Sequence, residues 1–382
     1  MLKNLSMPSL YELSILGLIF FLPLVFFSSV VHPYEYPKFL LLIIGSFLLS
    51  CFHIVIIWKK DKILHPFTTT DIFILLFLLW LLFVDCVGLD TKVSLLGSEY
   101  RFQGFVTYLA LTTVYFLMRS TPILKKTLSK FALLSLSILT VITLIDFLRL
   151  QLGILVPNFQ GRVIGTMGNP NSLGIHLVLL LSLVLFLRNG KGKGRVATDM
   201  LICVCVGMAV FITDSRSALM GFVFVIISKV IYLFYKRFGR KALIVGIGIA
   251  LLGFVIAFNV YSSSTQKRIS QWESRSLIWK HAVHAITKNS FTGYGQENYE
   301  LVFPKDLKLK VDSAHNYLLE LGVSGGIPLI LLFLFVIFSV LRQKRSLYLK
   351  IFIGTFLIVS FFNPFSIATL LLLWGILGFT DS

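Results

Sequence analysis

Apolar runs long enough to cross a bilayer recur along this chain, at 10–31, 38–58, 70–87, 102–118, 129–148, 171–187, 197–213, 217–235, 242–261, 316–341, 349–362 and 365–379. A hydrocarbon core of roughly 30 Å takes about 20 apolar residues per helix. The pattern therefore predicts an all-α polytopic integral membrane protein with about 12 transmembrane helices. The last two runs are short, and Phe361-Phe362-Asn363-Pro364-Phe365 between them reads as a tight turn, because Pro364 cannot continue a hydrogen-bonded helix. The expected count accordingly spans about 10 to 12. Only 14% of the residues are charged and 57% are apolar, against about 25% charged in ordinary soluble domains, which excludes a soluble globular enzyme. The first run carries no small-residue cleavage site and is followed by many more, so it reads as a retained span rather than a cleaved signal. No repeat or soluble domain boundary interrupts 1–382, which reads as a single membrane domain.

The formal net charge is +18, and its distribution sets sidedness. Twenty cations cluster in alternate connections: Lys3; Lys59, Lys60 and Lys62; Arg119, Lys125, Lys126 and Lys130; Arg188, Lys191, Lys193 and Arg195; Lys236, Arg237, Arg240 and Lys241; Arg342, Lys344, Arg345 and Lys350. The intervening short connections hold six, Lys38, Lys92, Arg101, Arg149, Arg162 and Arg216. The positive-inside rule then puts both termini in the cytoplasm and assigns the charge to topology rather than to nucleic acid. One long outer connection, 261–314, is basic and is a candidate site for anionic ligands. The four cysteines, Cys51, Cys86, Cys203 and Cys205, lie in apolar runs with neither zinc-ligand spacing nor a redox motif, and read as packing residues.

Polar residues collect on the outer side. Gly161-Arg162 through Asn171 is a glycine-rich turn in which Asn171 or Ser172 is expected to cap the sixth span. Thr213-Asp214-Ser215-Arg216-Ser217 is a short turn that sets a guanidinium at the membrane surface, where it suits a phosphate. Within the long connection, Arg275, Trp279, Ala282 and Ile286 fall on one face of a helix, predicting an amphipathic helix on the outer leaflet. His281 and His284 have no acidic or thiol partner at ligand spacing, so no metal site is expected. At 312–317, Asp312 or Ser313 is the expected N-cap and His315 would sit in the first helical turn, where the helix N-terminus disfavours imidazolium and leaves a neutral base. Gly322, Gly325 and Gly326 with Pro328 allow a close helix contact or a kink.

These segments, in this order, resemble the O-antigen ligase and polymerase family of bacterial envelope glycosyltransferases: Gly161-Arg162 through Asn171, Ser215-Arg216-Ser217, Arg275 with Trp279, Gly293-Tyr294-Gly295, and His315-Asn316 leading to Gly325-Gly326. The resemblance covers about 95–380 and includes Arg101 to Gly104. It implies transfer or polymerisation of an undecaprenyl-diphosphate-linked glycan at the outer face of a bacterial cytoplasmic membrane. The acceptor would be a glycan, lipid or protein, and the reaction would invert the anomeric carbon without metal or other cofactor. By motif, Arg216 and Arg275 would clamp the diphosphate and His315 would be the catalytic base, with Arg101, Arg162, Asn171 and Asn316 as further candidates for the same pocket. The competing reading is a polysaccharide or lipid-linked oligosaccharide flippase, which should show internal repeats and a charged central cavity; a third is a non-enzymatic assembly scaffold.

Overall fold

The computed structural model describes residues 9–60, 66–188, 193–239, 269–304, 311–343 and 346–379. These residues form helices α1 (Leu10–Phe21), α2 (Glu35–Lys60), α3 (Thr69–Cys86), α4 (Thr91–Leu96), α5 (Phe105–Ser120), α6 (Lys125–Gln151), α7 (Pro170–Leu187), α8 (Lys193–Ile212), α9 (Arg216–Phe238), α10 (Ile269–Lys288), α11 (Tyr299–Val302), α12 (Tyr317–Gln343), α13 (Leu347–Ser360) and α14 (Ile367–Gly378). A minimal antiparallel hairpin, β1 (Asn158–Phe159) and β2 (Arg162–Val163), stands between α6 and α7. Eleven of the twelve apolar runs fall on helices. The twelfth, 242–261, lies outside the described residues, as do Lys267, Arg268, Lys305, Lys308 and Lys310 of the long connection.

The chain is thus the all-α polytopic membrane protein its hydropathy predicts. Among the described residues seven helices are long and apolar enough to cross a membrane, and three apolar ones are shorter. The first run is one of the short ones: Pro23 lacks the N–H that would continue the helix, and α1 passes into a 3-10 turn at Leu22–Leu24.

Hydropathy pattern decides which helices are central. α7 is apolar around its whole circumference, and 89% of its apolar window is buried, against 11% for α2. A helix without a polar face belongs in the interior, and α7 packs against α6, α8, α9 and α13. α2 instead exposes Leu41, Ile44, Leu48, Phe52 and Val55 at helical spacing, an apolar stripe suited to lipid. α12 lies on α3, α14 on α5, and α10 on α12. Lipid gives little drive for helices to associate, so close approach of backbones matters. Gly174 provides it near the N-terminal end of α7: a Cβ there would stand 2.7 Å from Thr213 Oγ1 and 2.8 Å from Ala218 Cβ, so α7 lies directly against the α8–α9 turn.

Candidate functional site

The α8–α9 turn is built by Arg162. Its Nε donates to Thr213 O (3.0 Å), and its Nη2 to Thr213 O (2.8 Å), Asp214 O (3.0 Å) and Asn171 Oδ1 (3.0 Å). The carbonyls at a helix C-terminus lack intrahelical partners and carry partial negative charge, so one guanidinium from β2 satisfies the end of α8. Ser215 Oγ then caps α9, whose first residue is Arg216. Asn171 is available to Arg162 because the cap of α7 is Asn169, not Asn171 or Ser172: Asn169 Oδ1 accepts from Asn171 N (2.8 Å) and Ser172 N (3.3 Å). The reason is Pro170, which holds the preceding residue in the extended conformation that an N-cap needs, here φ −145° and ψ 129°.

A second correction concerns the start of α12. Its cap is Asn316, whose Oδ1 accepts from Leu319 N (3.1 Å) while its Nδ2 donates to Phe361 O (3.2 Å). Neither Asp312 nor Ser313 caps the helix; Ser313 Oγ accepts from His315 N at 3.4 Å. His315 therefore precedes the helix, in left-handed backbone with φ 50°. Ala314 N donates to Glu320 Oε2 (2.8 Å), Glu320 Oε1 accepts from Arg101 Nη1 (2.9 Å), and Arg101 Nε pairs with Glu297 Oε1 (3.4 Å). Arg101 is thus a largely enclosed cation, its side chain 11% exposed, compensated by two carboxylates, and it supports the backbone just before His315. Burial pulls the His315 pKa below its ordinary value, Asp312 opposes that, and Arg275 and Arg101 add to it. The ring is thus disfavoured as imidazolium by burial rather than by a helix terminus.

α10 is amphipathic, but its apolar face meets protein instead of the outer leaflet. Ile278, Ala282, Ala285 and Ile286 pack with Tyr299, Phe303, Val311, Ala314 and Val323 in a small core of their own, because α12 and the 299–303 segment offer an apolar surface beside it. His284 is exposed, while His281 lies edge-on to Phe303 at 5.4 Å. Trp279 approaches Phe362, with ring centroids 6.3 Å apart. Arg275 holds its proton less tightly than a free arginine, because of burial and then the positive charges of Arg216 and Arg162. Arg216 and Arg162 thus lie within electrostatic reach of Arg275, and Arg275 within reach of His315.

The seven candidates from sequence form one neighbourhood: Arg162, Asn171 and Arg216 at the α8–α9 turn, Arg275 in electrostatic reach of it, His315 in reach of Arg275, and Asn316 and Arg101 supporting the His315 segment. The sequence reading misses what joins them. The 361–366 turn is the hub: Asn363 Nδ2 donates to Ser217 Oγ beside Arg216, Phe361 O takes Asn316, Phe362 meets Trp279, and Phe365 O accepts from Gln103 Nε2. Glu297 and Glu320 are missed as well; charged residues this close to apolar runs were the available signal.

Residues 201–334 match a family model described as O-antigen ligase. Over 228 residues the chain is 27% identical to the ComP-specific O-oligosaccharyltransferase of Acinetobacter baylyi, which takes in 54% of this chain and 40% of that protein. The chain thus spans less than half the length of the curated relative it matches. The family match begins within α8 and ends within α12, and so includes Arg216, Arg275, His315 and Asn316.

Proposed function

We propose, from the support that both comparisons give to the O-antigen ligase family, that this chain is a membrane glycosyltransferase. It takes a glycan from an undecaprenyl-diphosphate carrier at the outer face of a bacterial cytoplasmic membrane and passes it to a glycan, lipid or protein acceptor. The observation that carries this reading is the convergence of Arg162, Arg216 and Arg275 beside a neutral His315. A partly desolvated Arg275 beside two further guanidinia favours an anion of two or more charges, and a diphosphate provides it. The relative's name gives its activity as oligosaccharyl transfer, which agrees with transfer rather than transport.

In the proposed reaction Arg216 and Arg275 engage the diphosphate, while Arg162 fixes the turn that bears Arg216. His315 takes the proton of the acceptor hydroxyl as its oxygen bonds to the anomeric carbon. The bond from that carbon to the phosphate oxygen breaks, its electron pair leaves with the lipid diphosphate, and attack opposite the departing group inverts the centre. Charge growing on the leaving diphosphate is met by donors already in place, so charge stabilisation comes from the protein's arginines and needs no metal. About twelve spans, with both termini in the cytoplasm, put these residues on the outer face.

Deleting the protein and separating envelope glycans by size tests the reading. Loss of a polymerase leaves single repeats attached to the acceptor; loss of a ligase leaves long chains on the carrier lipid. Unchanged glycans would overturn transfer altogether, and single repeats trapped on the inner leaflet would indicate a flippase.

A further inference from the structure

At the end of the molecule opposite Arg216 and His315, a cavity of about 620 Å³ opens among α7, α8, α9 and the start of α13. Among the described residues five cations line it, Lys125, Arg188, Arg195, Lys229 and Lys236, with Asp199 as the one carboxylate. Asp199 stands 3.7 Å from Arg188 Nη1 and 3.5 Å from Lys229 Nζ, and Lys229 Nζ also donates to Leu185 O (2.6 Å). The cavity therefore carries an excess of positive charge. Sidedness alone calls for cations in the connections; it does not call for cations from α6, the end of α7, α8 and α9 to converge on one hollow.

The walls specify more than an anion. Val196, Met200 and Val204 form a stripe along α8, and Ile226, Val230 and Leu233 form another along α9. Met200 and Val204 are 63% and 59% exposed. Both stripes run from the cationic end toward the middle of the helices, which is the course of an acyl chain whose headgroup sits at the cations. Inorganic phosphate would use the cations and leave the stripes unused.

We propose that this cavity is a binding site for an anionic phospholipid, with the phosphate of its headgroup among Arg195, Lys236 and Lys125 and its acyl chains along the α8–α9 stripes. It lies away from the transferase residues and does not depend on their assignment.

Native mass spectrometry of the full-length protein, released from detergent with equal concentrations of dioleoyl-phosphatidylglycerol and dioleoyl-phosphatidylcholine, tests the site. The wild type should retain phosphatidylglycerol preferentially. Arg195→Gln with Lys236→Gln should lower that retention about tenfold or more, as expected for two cations close to an anionic lipid. The control pair Lys126→Gln with Arg342→Gln removes two exposed cations at the same end but outside the lining, and should leave retention unchanged. Equal losses in the two pairs would reduce the effect to net charge and overturn the proposal. So would full displacement of phosphatidylglycerol by equimolar inorganic phosphate, which would make this a free-anion site. If the first pair does not purify in monodisperse form, Met200→Trp keeps every charge and fills the stripe. It should lower phosphatidylglycerol retention with no change in phosphate binding, and unchanged lipid retention overturns the proposal.

Discussion

His315 occupies left-handed backbone with φ 50°, a conformation that costs a non-glycine residue about 1–2 kcal/mol and persists only where its neighbours fix it. Ser313 Oγ on its own N–H, Glu320 Oε2 on Ala314 N and the Asn316 cap supply that fixing. If His315 is the proposed base for the acceptor hydroxyl, His315→Ala should abolish transfer while protein level and donor-lipid binding persist, because in the proposed reaction the arginines hold the donor. His281→Ala and His284→Ala serve as controls, measured by turnover of purified lipid-linked donor, and near-normal turnover of His315→Ala would remove the assignment. The pH profile is a separate check. A ring whose pKa is depressed stays neutral to lower pH, so the acid limb of kcat/KM should fall below the ordinary histidine value of about 6.5. Asp312 is exposed and pulls the ring's pKa the other way, so Asp312→Asn should move that limb to still lower pH; a shift upward contradicts the sign. At the proposed clamp, Arg216→Lys and Arg275→Lys keep the charge but lose the planar fork, and each should lower turnover by about 10²-fold or more. Full activity in both would leave only generic electrostatics there.

Within α12 the helix is broken where the site is assembled. Gly325 (φ −134°, ψ 20°) and Gly326 (φ 70°, ψ −171°) leave helical geometry, and Pro328 has no N–H to offer the carbonyl of Ser324. The 289–295 loop occupies the gap: Tyr294 N donates to Val323 O (2.8 Å), Gly295 N to Ser324 O (2.9 Å), and Ile327 N to Ser290 O (2.8 Å), while Trp80 Nε1 donates to Gly325 O (2.8 Å). The break thus joins the loop after α10 to the helix behind His315, with its freed backbone groups satisfied in the interior. A Cβ on Gly326 would stand 2.2 Å from Phe291 O. Gly326→Ala should therefore cost about 2–4 kcal/mol from left-handed strain and the clash, read as a lowered thermal transition in detergent. Gly194→Ala, with nothing within 4 Å, should be neutral or slightly stabilising. This kink was legible, since two glycines and a proline within four residues announce it, and so were the helices, since apolar runs follow the bilayer. The caps were not: Asn169, Asn171 and Ser172, or Asp312, Ser313 and Asn316, are each chemically able to cap, and only Pro170 and the distant Phe361 carbonyl decide between them. Arg101 with Glu320, 219 residues apart, and Asn363 with Ser217, 146 apart, are pairings that local periodicity does not encode, so the carboxylates that compensate Arg101 were not legible in the sequence.

Across the whole molecule, charge is separated more sharply than a count of residues suggests. Of the six cations in the short connections that the positive-inside rule assigns to the outer side, three are internal hydrogen-bond donors. Lys38 is fully buried, with Nζ on Tyr34 O and Thr166 O at 2.9 Å each, Arg101 is paired with two carboxylates, and Arg162 is spent on the α8–α9 turn. Such cations report the polar interior near one end of the bundle and say little about which aqueous phase that end faces. The clusters at the other end, by contrast, include Lys126, Lys130, Lys236, Arg237 and Arg342, all exposed. Exposed cations close to helix ends are the ones that the positive-inside rule weighs, so setting aside the three internally bonded ones sharpens the charge asymmetry on which the expectation of cytoplasmic termini rests. Single cysteines placed in a variant lacking Cys51, Cys86, Cys203 and Cys205 test this directly. A membrane-impermeant maleimide added to intact cells should label positions within 265–310, His284→Cys on the exposed side of α10 among them, and should spare 189–194 until the cells are permeabilised. Labelling of 189–194 in intact cells would invert the protein, placing Arg216, Arg275 and His315 on the cytoplasmic side, where a carrier-linked glycan awaiting transfer at the outer face could not reach them.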